Sequence, residues 1–288
     1  MTQHQKLPEQ IIPLSKLQII KYYLYVCKVL INMRKRSKTQ INKEYDSGSY
    51  MRGLNLINEV KTLDDMRYLM YDRFYNSHEA GYVLNGKWCL LDQRKFIDIS
   101  EDNFQRFILK SVKKSDTILE LGCGNGKHLF ELRNRGFKGT LYGFELSKNA
   151  IETAKKINEK FKTNINFQVF DITQSIPDTF TGSTIFTIGV VEQIKYDVDN
   201  MIDNLIAINP KQVIHMEDVQ EFSKFGIRKL FLMMYAYARD YNTKLIKTLK
   251  KHDLDILEIE INTIQPPVQH SGMIRWTPHK KITSIDSK

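Results

Sequence analysis

The sequence predicts an α/β protein with a doubly wound sheet, and three observations carry that prediction. From Ser115 onward, short apolar runs alternate with stretches of helix length, which is the pattern of strands joined by crossover helices. The first of these runs leads into a loop with glycine at every second position. Two further apolar runs, at about 254–264 and 272–277, follow near the end of the sequence.

The elements of this region follow in a regular order. A long helical stretch between Val219 and Lys251 is rich in Phe, Met and Tyr, which indicates core packing or a lid over a substrate site. The closing pair of strands is joined by a turn at Pro266 and Pro267. Before these elements we expect strands near 117–121, 140–145, 166–170, 184–189 and 211–216, with helices near 127–135, 148–161 and 196–208.

The glycine loop after the first strand has the character of a cofactor loop. Gly122, Gly124 and Gly126 lack a Cβ, so the backbone can turn sharply and a ligand can lie against it. A dinucleotide fingerprint requires a third glycine where Lys127 stands, and a phosphate-binding P-loop requires a glycine where Leu121 stands. Both phosphate-binding motifs therefore fail on spacing.

The remaining pattern, Glu-x-Gly-x-Gly-x-Gly after a strand, resembles motif I of the class I S-adenosylmethionine-dependent methyltransferases. The resemblance extends from about residue 105 to residue 279. It implies a three-layer, Rossmann-like sheet of seven strands, mostly parallel with an antiparallel last strand. It also implies S-adenosyl-L-methionine as the cofactor and methyl transfer as the reaction.

The same resemblance implies which residues hold the cofactor. Glu145 ends the second strand, where an acid accepts hydrogen bonds from the ribose hydroxyls, and Asp171 ends the third, where an acid binds the adenine amino group. Glu120 is expected to orient the loop or to hold the methionine amino group through a water. The implied cofactor-binding set is Glu120, Gly122, Cys123, Gly124, Asn125, Gly126, Glu145, Leu146, Asp171, Ile172, Gly189 and Val190.

Candidate catalytic residues follow the fourth and fifth strands and precede the last. His215 has a suitable intrinsic pKa to take a proton from a hydroxyl, and His270 is a second candidate base. Glu192 either faces the active site or caps a helix. Gln193 stands where the family often has histidine, so one candidate base is absent. His215 and Glu217 are too few for a metal site, and no metal is predicted.

Residues 1–104 are expected to form a helical extension that caps the acceptor site, with the methyltransferase domain at residues 105–288. In the family, an N-terminal helical segment often closes over the cofactor, so the resemblance implies Tyr45 and Tyr50 as acceptor-binding residues, together with Glu217. Turn signals occur at 46–49 and at Asn85-Gly86. We expect helices and loops here rather than a second sheet.

The segment Leu17–Met33 predicts a helix with an apolar face and a basic face. Lys21 and Lys28 interrupt it too often for a membrane span, and its position is too late for a signal peptide. We favour packing of this helix on the domain or on a second protomer, and the alternative is an anionic membrane surface. The expected apolar face consists of Leu17, Ile20, Leu24, Cys27 and Ile31.

The charge and the cysteine content indicate which partners and which cellular compartment to expect. The net charge is +10, and residues 1–50 hold nine Lys or Arg against three acids. This balance suits a polyanion but also serves solubility, so nucleic acid is not the favoured partner. Cys27, Cys89 and Cys123 lack metal-ligand spacing, which favours a reducing compartment. The expected location is cytoplasmic, with peripheral membrane contact through residues 17–36 as the alternative.

The predicted function is methyl transfer to a hydroxyl, or with less support an amine, of a polar small molecule or glycan. The Asn-Pro-Pro-Tyr motif that marks many nucleic-acid and protein amino methyltransferases is absent after the fourth strand. The alternatives are an RNA or protein methyltransferase that uses the basic N-terminus, and an inactive cofactor-binding subunit. The sequence leaves the acceptor and the oligomeric state open.

Overall fold

The computed structural model describes residues 12–32, 37–69, 79–194, 196–224 and 226–278. In chain order the strands are β1 (Ile12–Pro13), β2 (Glu79–Leu84), β3 (Lys87–Asp92), β4 (Ile118–Leu121), β5 (Leu141–Glu145), β6 (Asn166–Val169), β7 (Thr184–Ile188), β8 (Gln212–Asp218), β9 (Asp255–Ile261), β10 (Ile264–Gln265) and β11 (Ser271–Thr277). The α-helices are α1 (Lys16–Ile31), α2 (Lys38–Glu44), α3 (Met51–Asn55), α4 (Gln93–Leu109), α5 (Lys127–Asn134), α6 (Lys148–Phe161), α7 (Val198–Ile208), α8 (Ile227–Arg239) and α9 (Leu245–Lys251). A π-helix spans Tyr45–Tyr50, and a short 3₁₀ turn at Val191–Gln193 follows β7.

The central sheet has the order β6-β5-β4-β7-β8-β11-β9. The first five strands of that order pair in parallel, and β11 lies antiparallel between β8 and β9. This arrangement confirms the predicted seven-stranded, mostly parallel sheet. The predicted bounds of its first five strands, and of α5, α6 and α7, agree with the structure within two residues.

The sheet places the functional loops at one edge. β4 has β5 on one side and β7 on the other. The crossovers therefore run in opposite directions from β4, and the loops after β4, β5 and β7 meet where the strand order reverses. Ligands of open α/β sheets bind at this switch point, beyond the carboxyl ends of the strands.

Hydrophobic side chains cover both faces of the sheet. On one face, Phe104 and Phe107 of α4 pack with Phe130 of α5, and all three are fully buried. On the other face, Met201 of α7 and Trp276 of β11 belong to a second buried cluster. Because β4 is covered on both faces, its four residues are all buried and apolar except for one glutamate.

The N-terminal region contains a second sheet, so the expectation of helices and loops without one is wrong. β2 and β3 form a hairpin through Asn85 and Gly86, whose φ angles are 48° and 81°. Two left-handed residues are what a two-residue hairpin turn requires, and Asn-Gly favours it. The full order of this sheet is β1-β3-β2-β10. The Asn-Gly pair predicts the turn, but the runs on either side of it lack a clear period that would predict strands.

The second sheet joins the two ends of the described chain. β10 lies near the C-terminal end and pairs with β2, with Ile264 opposite Leu84. The expected boundary between residues 104 and 105 falls inside α4. The N-terminal region is thus integrated with the central fold through α4 and β10.

The first helix forms as expected but packs through a different face. α1 begins after Ser15, which caps it with Gln18 in a capping box. Val26 is fully buried, and the Tyr23 ring stacks on Phe231 of α8 with centroids 4.2 Å apart. The face expected to be covered is instead largely exposed. Residues 33–36 of the predicted basic segment lie outside the described residues, and within the described part of the chain no helix is long and apolar enough to cross a membrane.

Candidate functional site

A cavity of about 300 Å³ lies at the switch point of the central sheet. It is bounded by the loops after β4, β5 and β7 and by the N-terminal segment around the π-helix. The described residues that line it are Ile41, Asn42, Tyr45, Tyr50, Gly122, Glu145, Leu146, Asp171, Ile172, Ile188, Gly189, Val190, Gln193, Ile194, Tyr196, Asp197 and Asp240.

The glycine loop forms one wall of this cavity, and its conformation needs glycine. The amides of Gly122 and Cys123 both donate to the carbonyl of Phe144, at 2.7 and 3.0 Å. Gly122 has a φ of +74°, and a Cβ there would lie 2.3 Å from a methyl carbon of Val190. The backbone is therefore pressed against the loop that follows β7, and a side chain at this position would displace it.

Glu145 joins the loop to the next crossover. Its carboxylate accepts hydrogen bonds from the amides of Gly124 (3.0 Å) and Ser147 (2.9 Å). Burial raises the pKa of Glu145, and hydrogen bonds from backbone amides, including those of Ser147 and Gly124, oppose that rise. The residue also lines the cavity, so it both shapes the loop and presents a carboxylate to a ligand.

Glu120 lies behind the glycine loop with its carboxylate unpaired. It is 1% exposed, and neither of its carboxylate oxygens has a hydrogen-bond partner among the described residues. Burial, reinforced by the charge of Glu101, raises its pKa well above the ordinary value, and Lys127 opposes this. The Nδ2 of Asn125 is also enclosed without a partner within the described ranges.

These features fit S-adenosyl-L-methionine. An enclosed carboxylate without a partner is costly, and a cationic amino group would offset that cost. Gly122 lines the cavity, and Glu145 and Asp171 offer carboxylates beyond the ends of adjacent strands. Of the other predicted cofactor residues, Leu146, Ile172, Gly189 and Val190 line the cavity. Glu120 on β4 and the loop residues Cys123, Gly124, Asn125 and Gly126 are not among its lining residues.

The N-terminal segment also lines the cavity. Tyr45 and Tyr50, the first and last residues of the π-helix, both line it. The Tyr45 hydroxyl accepts a hydrogen bond from Gln193 Nε2 at 2.8 Å. The Tyr50 hydroxyl lies 2.9 Å from where a Cβ on Gly124 would be. Irregular helical turns of this kind often occur at functional sites.

Asp46 anchors this segment to the central fold. Its Oδ1 accepts from the Ser147 hydroxyl (2.5 Å) and from the amide of Asn149 (3.1 Å) at the start of α6. A carboxylate at a helix N-terminus satisfies free backbone donors and interacts favourably with the helix dipole. The Ser147 amide also donates a hydrogen bond to Glu145. Ser147 therefore connects the N-terminal segment around the π-helix, called the cap below, to a carboxylate that lines the cavity.

His215 lies inside the protein rather than at the cavity. It is 0% exposed, its Nδ1 is 2.8 Å from the Thr187 hydroxyl, and its Nε2 has no partner in the described parts of the chain. Burial lowers its pKa to about 3. The side chain is therefore neutral at physiological pH and enclosed, and this placement does not support a role as the base.

The carboxylate of Glu217 accepts hydrogen bonds within the fold. It accepts from the Thr187 hydroxyl (2.7 Å) and from the amides of Val190 (3.2 Å) and Val191 (3.1 Å). Burial raises its pKa to about 7. Glu217 does not line the cavity, but it holds the loop at Val190 that does.

Two other predicted catalytic residues also lie away from the cavity lining. Glu192 is 6% exposed, and burial together with Glu217 and Asp218 raises its pKa well above the ordinary value. The His270 amide donates to Asp218 at 2.7 Å, and burial lowers the pKa of its imidazole. Within the described residues, no group of three or more His, Cys, Asp or Glu side chains is arranged to hold a metal ion.

Sequence reasoning missed several of the residues that line the cavity. Asp197 precedes α7, Asp240 ends α8, and Ile41 and Asn42 belong to α2. Tyr196 contributes its ring at the mouth, and its hydroxyl is 3.3 Å from Asp240 Oδ1. No local motif marks these positions, since only the folded chain brings them together.

The cavity has a negative lining in a positively charged protein. Among the described residues that line it, the charged side chains are Glu145, Asp171, Asp197 and Asp240, and none is basic. The chain as a whole carries a net charge of +10. The local arrangement of charge therefore favours a cationic ligand.

Residues 112–253 match the sequence model of a family described as "Methyltransferase domain". A stretch of 82 residues is 33% identical to the protein-lysine N-methyltransferase EFM4 of Saccharomyces cerevisiae. That match covers 28% of this chain and 34% of the yeast protein, so the chain spans about a third of that relative's length.

Solved structures show the same fold. The [4+2]-cyclase SpnF has a TM-score of 0.57 at 12% identity, over 85% of this chain and 97% of that one. The magnesium protoporphyrin IX methyltransferase of Synechocystis PCC 6803, crystallised with bound S-adenosylmethionine, has a TM-score of 0.54 at 12% identity, over 85% and 98% of the two chains. At such low identity, these structures show a shared fold.

Proposed function

This chain carries a class I S-adenosylmethionine-dependent methyltransferase domain, and we propose that its acceptor is an amine nitrogen, specifically the side-chain amine of a protein lysine. The observation that carries this proposal is the acidic and aromatic lining of the cavity. The proposal selects the amine over the hydroxyl that the sequence favoured.

The cofactor would be held at the glycine loop side of the cavity. Glu145 and Asp171 are placed to accept hydrogen bonds from a nucleoside, and Glu120 offers an unpaired carboxylate for an amino group. When bound, S-adenosylmethionine supplies a methyl group on a positively charged sulfur. Gly122 leaves the backbone bare at that wall.

Two carboxylates remain for the acceptor. Asp197 and Asp240 line the cavity with Tyr45 and Tyr196. Carboxylates attract an ammonium group, and aromatic faces bind cations through their quadrupoles. A lysine side chain offers both an ammonium and an apolar stem that can lie between the rings.

Gln193 is placed to orient the acceptor nitrogen. Its amide nitrogen donates to Tyr45, while its Oε1 is enclosed and has no partner among the residues the structure describes. An N–H of the acceptor would satisfy this oxygen. The nitrogen must lose a proton before its lone pair can attack, and Asp197 or Asp240 at the cavity rim can accept that proton. The new C–N bond then forms as the C–S bond breaks, and the sulfur keeps the electron pair.

A hydroxyl acceptor finds less support in the cavity. Both histidines expected to serve as the base, His215 and His270, lie outside its described lining. The similarity to a yeast protein named as a protein-lysine N-methyltransferase supports the amine.

The test is transfer of a labelled methyl group into a cell extract, followed by separation of proteins, glycans, RNA and small molecules. We expect label in protein, on the ε-nitrogen of lysine, in a form that resists base hydrolysis. Asp197→Asn with Asp240→Asn should raise the acceptor KM at least about tenfold while cofactor affinity is unchanged. Asp178→Asn, at an exposed acid outside the cavity lining, is the matched control.

Two outcomes would contradict the proposal. Label found mainly in glycans, in small-molecule hydroxyls or in RNA would overturn the lysine acceptor. An unchanged acceptor KM in the double variant would remove Asp197 and Asp240 from the acceptor site. Calorimetry of S-adenosylmethionine binding separates both outcomes from a loss of the cofactor site.

A further inference from the structure

The helix α1 is apolar on two opposite faces, and only one of them is covered. The inner face holds Val26, which is fully buried, and Tyr23, which stacks on Phe231 of α8. The outer face lies within an arc of about 60° at 3.6 residues per turn. Its large apolar residues are 49 to 83% exposed: Leu17, Ile20, Leu24 and Ile31.

The helix α8, against which α1 packs, shows the same division. Its inner residues Leu232 and Ala236 are fully buried. Its outer residues Leu230, Met233 and Tyr237 are 57, 53 and 63% exposed. Single exposed apolar residues are ordinary in proteins, but regular rows of them along two adjoining helices mark an interaction surface.

All the charges on these two helices are positive. Lys16, Lys21 and Lys28 of α1 are exposed, and Lys21 and Lys28 border its outer apolar row. α8 carries Arg228, Lys229 and Arg239, and neither helix contains an acid. Exposed apolar rows bordered by lysine are typical of helices that lie on an anionic lipid surface.

We propose that the α1/α8 face, defined as the outer residues Leu17, Ile20, Leu24, Ile31, Leu230, Met233 and Tyr237 with their bordering lysines, docks on an anionic membrane. Charge complementarity decides the occupant. A second copy of the chain would place only positive charges of these helices opposite one another, which is unfavourable. Anionic headgroups match the lysines, and the upper acyl region matches the apolar rows.

Docking would bring the catalytic cavity near the lipid surface. α8 ends at Arg239, and Asp240 directly after it lines the cavity. Arg239 also lies 3.8 Å from Glu44 at the end of α2, beside the cap. The inference goes beyond the proposed lysine acceptor and does not depend on it.

The experiment is cosedimentation of the full chain with vesicles of equal parts phosphatidylcholine and phosphatidylserine, compared with phosphatidylcholine alone. We expect binding to the mixed vesicles that weakens at high salt. Leu24→Glu with Tyr237→Glu should weaken binding at least about tenfold. Lys21→Glu with Lys28→Glu should do the same through charge. Leu257→Glu, at a residue of β9 that is 41% exposed, is the control and should bind as the unaltered chain does.

The folded state of each variant is checked by circular dichroism and by its affinity for S-adenosylmethionine, both of which should be unchanged. The proposal is overturned if the full chain does not bind the mixed vesicles. It is also overturned if the folded Leu24→Glu/Tyr237→Glu variant binds them as well as the unaltered chain does. It is also overturned if light scattering shows a dimer that the apolar variant dissociates, or if the face captures an acidic protein and not lipid. Loss of vesicle binding with full methyl transfer to soluble protein would leave the proposed function intact.

Discussion

The replacement His215→Asn tests whether this histidine is part of the fold or part of the chemistry. Burial lowers its pKa to about 3 in the folded chain, against about 6.5 in an unfolded one. Its neutral form is therefore the one that folding favours. The resulting stability is fully present above about pH 6.5 and is lost as the pH falls from about 6.5 towards 3. In that range the imidazole binds a proton in the unfolded chain but not in the folded chain.

The size of the effect follows from the two pKa values. Each pH unit between them is worth about 1.4 kcal/mol, so the full loss approaches about 5 kcal/mol at pH 3. Between pH 8 and pH 5, about 2 kcal/mol of stability should disappear through His215 alone. Asparagine can keep a hydrogen bond to Thr187 but does not titrate in this range. The variant should therefore lack this part of the pH dependence.

The assay is urea unfolding of both proteins at pH 8 and at pH 5, with the difference in their free energies of unfolding as the readout. The cavity left by the lost ring lowers the stability of the variant equally at both pH values. This contribution therefore cancels when the stability difference at pH 5 is compared with that at pH 8. We expect the advantage of the unaltered chain to shrink by about 2 kcal/mol at pH 5. At pH 8 the folded variant should keep kcat within about fivefold, since the imidazole does not reach the cavity.

Two results together would refute this reasoning. One is a stability difference that does not change between pH 8 and pH 5, which would mean that His215 titrates normally. The other is a folded variant whose kcat falls more than about a hundredfold, which would restore His215 as a base.

Three further predictions concern two residues that line the cavity, Gly122 and Glu145, and Asp46 of the N-terminal segment. Gly122→Ala should weaken S-adenosylmethionine binding at least about tenfold by calorimetry, whereas Gly136→Ala, at a similar φ but in open space, should lower stability by about 1 kcal/mol and leave affinity unchanged. Glu145→Gln should raise the cofactor Kd about tenfold with little change in kcat, and an unchanged Kd would exclude it from the site. Asp46→Ala should cost about 1 kcal/mol of stability and raise the cofactor KM, because it releases the cap from α6, and an unchanged KM would mean that the cap does not order the cofactor site.

The sequence predicts the central sheet well because its signals are local. Apolar runs mark the strands, helical spacing marks the crossovers, and glycines mark the loop at Gly122. The rule that ligands bind beyond the carboxyl ends of such strands then places Glu145 and Asp171 at the cavity, where the structure has them. Each of these steps depends on residues within one element and the loop that follows it.

The rest of the cavity lining could not be predicted because it depends on contacts between distant segments. Tyr45 meets Gln193 across 148 positions of sequence, and Asp240 approaches from the end of α8. Its position depends on how α8 and the cap pack, and no pattern around Asp240 records that packing. The outer rows of α1 and α8 were hidden for a similar reason. Helical spacing identified the row containing Leu24 as a contact face but could not show which side of a doubly apolar helix the protein covers.

Two buried acids at the edge of the sheet, Glu120 and Glu217, differ in their hydrogen-bond partners rather than in their positions. Glu120 and Glu217 both lie near strand ends, and both are almost fully buried. Glu217 receives hydrogen bonds from Thr187 and from the backbone of Val190 and Val191, so its charge is used to hold a loop. Glu120 has none among the described residues, so folding leaves a buried carboxylate unsatisfied. A binding partner that brings positive charge would lower that cost at Glu120, whereas Glu217 already has its hydrogen-bond partners within the fold.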